Sequence, residues 1–170
     1  LSLNASFGQG FKAPSIFERT YPCPECATPG PAIGLKPEQA QGWDLGLGWR
    51  AARASVRLTA YRLTVSDQID YRYPEGYLNI ARTRGTGIEA EAEARLPAGL
   101  VLKASYAYAE AKDLSDGSRL LHVPRQSGSV SIDWTHGRAT AGLIVRARSS
   151  TPDVFGEVRP FAVADVTAAY

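Results

Sequence analysis

The stretch Gly87–Leu96, "GIEAEAEARL", alternates strictly between charged residues and small or apolar residues. Its charged positions are Glu89, Glu91, Glu93 and Arg95, and isoleucine, alanine and leucine occupy the positions between them. Because successive side chains of a β-strand point to opposite faces, the stretch predicts a strand with one apolar and one ionised face. Such a strand fits a soluble sheet over a core. It also fits a bilayer-spanning barrel, with the apolar face toward lipid and the charges toward a wet lumen.

The same period-two pattern recurs along the chain, and each occurrence predicts a further strand with one apolar face. The other seven segments are "LSLNASF" (1–7), "WDLGLGW" (43–49), "SVRLTA" (55–60), "VLKASYAY" (101–108), "SGSVSIDW" (127–134), "ATAGLIVRA" (139–147) and "FAVADVTAAY" (161–170). With the opening stretch, the sequence therefore predicts eight strands.

The predicted connections alternate between short and long. The short ones are "RAARA" (50–54), "PAG" (97–99) and "HGR" (136–138), and the long ones span 8–41, 72–81, 111–124 and 149–160. Outer-membrane barrels have short periplasmic turns and long extracellular loops, whereas a soluble meander has no reason to gather its long loops at one end. The pattern favours the bilayer, with the glutamates facing a lumen.

Composition excludes other classes. The 170-residue chain is 44% hydrophobic and 21% charged, and no apolar run approaches the roughly 20 residues of a spanning helix. A net charge of +2 gives no argument for a nucleic-acid partner. The sequence contains no Met, so we expect it to be a segment of a longer protein.

Aromatic residues mark both ends of the predicted apolar band. Trp49 and Trp134 precede short turns, and Trp43 follows a long loop, as expected for interfacial girdles. After Ala60 the apolar parity flips, which puts Arg62 on the nominal lipid face. We interpret this flip as the strand leaving the hydrocarbon through a β-bulge.

The "PAG" turn fixes one register. We expect a three-residue hairpin loop with Gly99 in the left-handed conformation. Glu93 then lies opposite Lys103, whereas a slip by one residue would turn a charged face into lipid.

Three ordered segments carry a family resemblance: "FGQGFKAPSIFERTYP" (7–22), "GLKPEQAQGWDLGL" (34–47) and "YRLTVSDQIDY" with "YLNIARTRGTGIEAE" (61–71 and 77–91). They resemble the TonB-dependent receptors of the Gram-negative outer membrane. The last two pieces most resemble the cobalamin transporter subgroup, with ferric-siderophore receptors close behind.

The resemblance implies an all-β fold, an antiparallel transmembrane barrel of 22 strands around an N-terminal plug domain. Residues 1–170 would form the C-terminal part of the barrel, roughly its thirteenth to twentieth strands. The plug, the TonB-contacting region and the closing hairpin would lie outside this chain. No cofactor is implied for this segment, and any calcium sites would lie in the missing early strands.

The implied function is import of cobalamin or a similar chelate, with energy delivered through TonB. A ferric-siderophore receptor of the same architecture is the first alternative, and a non-transporting barrel, an adhesin or an outer-membrane enzyme, is the second. Catalysis has little support, because His122 and His136 fall at opposite ends of the strands. The expected surroundings are outer-membrane lipid and lipopolysaccharide.

Aromatic and basic residues in the long loops are candidates for ligand binding: Phe11, Tyr21, Tyr71, Tyr73, Tyr77 and Arg119. Amphipathic rings with a polar tip suit a large, partly polar ligand. The alternative for Tyr71 and Tyr73 is membership of the interfacial girdle.

Cys23 and Cys26 have C-x-x-C spacing. A zinc site needs two further ligands, and none is near in sequence. On a loop matured through an oxidising compartment, we therefore expect a disulfide and no metal.

Arg62, Arg82 and Arg84 form a basic group at the long-loop ends of neighbouring strands. One interpretation is contact with lipopolysaccharide phosphates, which the guanidinium matches by bidentate geometry. The other is ordinary pairing with Asp67, Asp70 or Glu75.

Overall fold

A computed structural model of the chain describes residues 1–20, 34–72 and 75–170. Tyr21, Cys23, Cys26 and Tyr73 lie outside the described residues. The disulfide and these two candidate ligand contacts therefore stay predictions.

The described part of the chain is almost entirely strand. Its elements are β1 (Ser2–Lys12), α1 (Ile16–Thr20), β2 (Glu38–Arg50), β3 (Ala54–Arg72), β4 (Gly76–Leu96), β5 (Leu100–Asp113), β6 (Gln126–His136), β7 (Ala139–Arg148), β8 (Thr151–Asp153), β9 (Gly156–Val158) and β10 (Phe161–Ala169), with a 3-10 turn over Pro97–Gly99. Eight of them form one antiparallel sheet in the order β1-β2-β3-β4-β5-β6-β7-β10, and β8 and β9 pair separately. The eight predicted strands are confirmed.

Within the described ranges, we find no helix whose length and hydropathy would let it cross a membrane.

Among the residues that the structure describes, none forms a second layer against the apolar face of the sheet. In the described part of the chain, Ile69 is the one hydrophobic side chain that is buried. Leu3, Phe7 and Val166 are 74%, 67% and 78% exposed. A soluble sheet must cover such a face with another layer, so this face needs lipid.

The short turns and three of the four long connections follow the predicted alternation. The turns at 51–53, 97–99 and 137–138 lie at one end of the sheet, and the strand ends Lys12, Asp113 and Arg148, from which the long connections start, lie at the other. The prediction of a long loop over 72–81 is wrong. Strands β3 and β4 stay paired out to Arg72 and Gly76, because their backbone ladder resumes beyond an irregularity between Val65 and Ile69.

The bulge lies elsewhere than predicted. Pairing of β2 with β3 runs without a shift from Arg50 and Ser55 to Gln39 and Ser66, so Ala60 carries no bulge. The register shifts come after Val65, where Asp67 has a φ of 55°. Arg62 therefore keeps the face of the apolar residues below it. The polarity of that face changes while the ladder continues.

The predicted β4–β5 register is confirmed. Glu93 pairs with Lys103, and Leu96 pairs with Leu100. The two charged side chains make their ion pairs elsewhere: Glu93 contacts Arg95 at 3.1 Å, and Lys103 contacts Asp133 at 3.8 Å. All four side chains are well exposed, so these ion pairs add little to stability.

The "PAG" turn contains two left-handed residues, where one was expected. Gly99 has the predicted positive φ, 77°, and Ala98 has a φ of 62°. A Cβ on Gly99 would lie 2.0 Å from the carbonyl oxygen of Thr135. Glycine is therefore required at position 99 on two grounds, whereas Ala98 only carries a conformational cost.

Substitutions at Ala98 and Gly99 should change the free energy of unfolding in opposite directions. We expect Ala98→Gly to raise the free energy of unfolding by ~0.5–1 kcal/mol, because the left-handed penalty on alanine disappears. Gly99→Ala should lower it by about 2 kcal/mol through the clash. Urea unfolding of the full-length protein from lipid bilayers measures both. Ala52→Gly, in the β2–β3 turn, is the control and should not stabilise; stabilisation by Gly99→Ala would contradict the turn geometry.

Candidate functional site

The long-loop end begins with a capped helical turn. The Glu18 backbone N–H donates to Ser15 Oγ at 3.1 Å, and the Ser15 N–H donates to Glu18 Oε2 at 2.6 Å. This reciprocal pair is a capping box, and it fixes the start of α1.

A lysine bridge ties that turn to the sheet. Lys12 Nζ lies 3.1 Å from Oε1 of both Glu18 and Glu38. Glu38 Oε1 also accepts the Ile69 N–H at 3.0 Å. The Glu38 carboxylate thus joins β1, β2 and β3 at one point.

The hydrogen bonds from Ser15, then the contact with Lys12, lower the pKa of Glu18 below its ordinary 4.5. The hydrogen bonds to Glu18 and Glu38 raise the pKa of Lys12 above its ordinary 10.5. A depressed carboxyl pKa stabilises the fold fully above 4.5, and the contribution is lost as the pH falls through the folded value. The raised lysine contributes below 10.5 and is lost at higher pH. The bridge is therefore intact at neutral pH.

Asn79 clamps the 13–37 loop to the β3–β4 hairpin. Its Oδ1 accepts the Lys36 N–H at 2.8 Å, and its Nδ2 donates to the Lys36 and Asp67 carbonyls at 2.9 and 2.6 Å. All three bonds go to backbone groups, so the contact fixes the path of both segments beside the bulge.

Three rings extend this contact into an aromatic cluster, defined as Phe17, Tyr71 and Tyr77. The Phe17 and Tyr77 ring centroids are 6.1 Å apart, and those of Tyr71 and Tyr77 are 5.3 Å apart, both edge-to-face. Phe17 and Tyr71 remain 59% and 40% exposed. The cluster therefore joins α1 to the hairpin and still offers ring surface to a ligand.

A second pair of loops is also connected. The His122 N–H donates to the Pro152 carbonyl at 2.9 Å, and His122 Nε2 lies 3.5 Å from Asp153 Oδ1. The Leu114 N–H donates to the Arg82 carbonyl at 2.7 Å. These bonds link the 114–125 loop to the β8–β9 hairpin and to β4.

The predicted ligand-binding residues are distributed between different places. Tyr77 lies at the centre of the aromatic cluster. Arg119 lies in the 114–125 loop, where its guanidinium reaches the Val123 carbonyl at 3.5 Å. Phe11 is 78% exposed and pairs with Gln39. By strand alternation it shares the face of Phe7. The structure therefore places Phe11 on the apolar side of the sheet, away from the other two residues.

Arg62 and Arg82 line a cleft on the apolar side of the sheet, here called the outer cleft. It has a volume of about 270 Å³ and is lined by Phe7, Gln39, Gln41, Trp43, Arg62, Thr64, Ser66 and Arg82. Arg84 pairs with Thr64 on the adjacent strand and shares the face. The structure thus brings the basic group together.

Several residues that hold the candidate site together were not foreseen from the sequence. The S-x-x-E pattern of Ser15 and Glu18 was a readable signal for the cap. Asn79 gave no such signal, because its partners are backbone groups that only the fold brings close.

The family described as "TonB dependent receptor-like, beta-barrel" matches residues 1–170. The chain belongs to the TonB-dependent receptor family. Its strands are therefore a segment of a transmembrane barrel in the bacterial outer membrane. The long loops face the outside of the cell, and the short turns face the periplasm.

Solved structures share this fold. The copper transporter OprC has a TM-score of 0.82 at 23% identity, over 99% of this chain and 29% of that one. The ferric enterobactin receptor PfeA of Pseudomonas aeruginosa has a TM-score of 0.80 at 16% identity, over 96% and 29%. The ferric-catecholate import receptor Fiu of E. coli has a TM-score of 0.73 at 15% identity, over 98% and 26%. The chain spans less than a third of the length of these proteins, which are all transport receptors.

Removing the Glu18 side chain tests whether the capping box holds α1 in place. We expect Glu18→Ala to speed amide exchange in α1 roughly fivefold at neutral pH, because it removes the acceptor of the Ser15 N–H and such a hydrogen bond contributes ~1 kcal/mol. Acidification well below 4.5 should speed exchange in the unaltered protein in the same way. Hydrogen–deuterium exchange of the full-length protein, corrected for intrinsic rates, measures both effects.

Glu157→Ala is the matched control, because its carboxylate accepts a hydrogen bond from Ser150 in the other loop pair. It should leave exchange in α1 unchanged. Unaltered protection of α1 in Glu18→Ala would show that the cap does not hold the helical turn.

Proposed function

We propose that the full-length protein imports a metal chelate across the outer membrane, with energy delivered through TonB. The observation that supports this proposal is the aromatic cluster at the extracellular end, held between two clamped segments. A receptor needs such a surface outside the membrane to bind its cargo.

The contacts that hold the two segments in place should increase the affinity for a ligand. A ligand that binds a mobile loop must also order it, at about 0.5–1.5 kcal/mol for each side chain immobilised. Here the Asn79 bonds and the Lys12 bridge already fix the two segments that carry the rings. Edge-to-face rings whose edges are already held by one another offer a fixed surface for apolar contact. This combination suits a large ligand with an organic shell around a metal.

The ligand class rests on two lines of reasoning. The names of three similar structures give copper, ferric enterobactin and ferric catecholates as cargo of those proteins. The sequence resemblance points to cobalamin, which is also a metal chelate. We therefore propose a metal chelate, with ferric siderophores, copper and cobalamin as the three candidates that the experiment separates. None of the names of the similar structures gives cobalamin.

The residues of this chain would bind and orient the cargo, and they break no covalent bond. The aromatic cluster would make the first contact outside the membrane. Below it, the lumen side of the wall carries charged and hydroxyl groups, among them Arg57, Glu91 and Ser105, which pair across β3, β4 and β5. That wet, polar wall suits passage of a solvated ligand once TonB has opened the path.

Uptake by cells that produce the full-length protein tests the proposal. Radiolabelled ferric siderophores, a copper chelate and cobalamin are offered in turn to cells with and without TonB. We expect accumulation of one chelate class that disappears when TonB is absent. Failure to bind or accumulate any of the chelates would overturn it, and so would uptake that persists without TonB.

Tyr77 should be the most sensitive residue of the cluster. We expect Tyr77→Ala to weaken chelate binding at least about fivefold, because two edge-to-face contacts of ~0.5–1.5 kcal/mol each are lost. Tyr77→Phe should bind more tightly than Tyr77→Ala, because its ring contacts remain.

The control is Tyr106→Ala, which removes an equally large ring, 47% exposed, from the face of the sheet that contacts lipid. Fluorescence quenching titrations on the purified full-length receptor measure all three variants. Equal affinity of Tyr77→Ala and the unaltered receptor would place the ligand elsewhere.

A further inference from the structure

The outer cleft lies where the barrel leaves the hydrocarbon. Leu45 pairs with Ala60 in the last apolar row of β2 and β3. The next rows on the same face pair Trp43 with Arg62, Gln41 with Thr64 and Gln39 with Ser66. An aromatic residue at the border followed by polar groups is the order expected at the level of lipid headgroups.

The arginines of this region are not neutralised by the protein. Within residues 1–20, 34–72 and 75–170, no carboxylate lies within salt-bridge distance of Arg62, Arg82 or Arg84. Pairing with Asp67, Asp70 or Glu75 therefore does not occur there. By contrast, Lys112 and Arg125, at the same end of the barrel, share Glu110 at 2.9 and 3.8 Å.

Arg84 also has an unsatisfied hydrogen-bond donor. Its Nε is buried and has no hydrogen-bond partner among the residues that the structure describes. Buried guanidinium donors are normally satisfied, and an unpaired one is costly. Among the described residues, the region thus carries three cationic groups without a carboxylate partner, of which Arg62 and Arg82 line the cleft and Arg84 lies beside it.

From these observations we propose that the outer cleft binds a phosphate group of lipopolysaccharide. Arg62 and Arg82 would supply charge-assisted, bidentate hydrogen bonds. The amides of Gln39 and Gln41 and the hydroxyl of Thr64 would supply neutral donors. With about 270 Å³, the cleft exceeds the ~30 Å³ of one water several-fold and has room for a phosphate.

The position favours a lipid over free phosphate. The cleft opens on the side of the barrel that contacts lipid, and Phe7 and Trp43 form its membrane edge. A lipopolysaccharide molecule with its phosphate in the cleft could lay its acyl chains along the apolar rows below, over Leu45 and Leu47. Free phosphate would gain nothing from those rows.

The test compares lipid binding by full-length receptors purified in detergent and stripped of lipid. The probes are lipopolysaccharide, enzymatically dephosphorylated lipopolysaccharide and inorganic phosphate. We expect Arg62→Gln with Arg82→Gln to weaken binding of intact lipopolysaccharide about a hundredfold, since the charge-assisted bonds of each arginine contribute about a factor of ten. Dephosphorylated lipopolysaccharide should bind both receptors weakly and equally.

Two further variants make the result specific. Arg57→Gln removes the same charge from β3 five residues earlier but on the lumen face, and it should bind like the unaltered receptor. Arg62→Lys keeps the charge without the bidentate geometry, so its affinity should be intermediate. Heat-modifiable migration on gels checks that each variant forms a barrel.

Three outcomes would overturn the proposal. They are undiminished binding by the double variant, an equal loss in Arg57→Gln, and inorganic phosphate that binds as tightly as lipopolysaccharide. The last result would assign the cleft to free phosphate instead of a lipid.

Discussion

Backbone hydrogen bonding in hydrocarbon is the constraint on which this structure depends. Inside a bilayer no water can satisfy an N–H or C=O group, so every strand must pair fully with its neighbours. The uninterrupted ladders of β2 with β3 and of β4 with β5 meet this demand. They also fix the register, because a one-residue slip would turn Lys103 into lipid at roughly 2–4 kcal/mol.

The same ladder builds the binding region outside the membrane. Beyond Ile88 the β4 strand continues for residues 76–87, roughly 40 Å of strand. There the sequence no longer meets lipid, so a bulge at Asp67 becomes acceptable and Asn79 can bond its carbonyl. The site thus rests on a hairpin that is rigid because it continues the barrel wall, and the loops are fastened to it.

The sequence predicted the parts of the fold that follow from period two. The strands, the turn at Pro97–Gly99 and the pairing of Glu93 with Lys103 all come from alternation and charge. The outward reach of β3 and β4 did not, because outside the membrane no apolar face marks a strand. For the same reason the polarity change at Ala60 suggested a bulge, although the register there is unbroken. The site was only partly predictable: Tyr77 was singled out, but its partner Phe17 comes from a distant segment that only the fold brings near.

The unbroken pairing below Val65 has a consequence for how this barrel can change length over evolution. Deleting or inserting a single residue in the spanning part of β3 would exchange the lipid and lumen faces for the remainder of the strand, whereas a two-residue change preserves both. The irregular segment between Val65 and Ile69 already absorbs mismatched residues. Natural length variation in this hairpin should therefore come in even steps within the membrane and in any number beyond the bulge. The part of this strand pair beyond the bulge can then diversify in length while the membrane-spanning part stays unchanged.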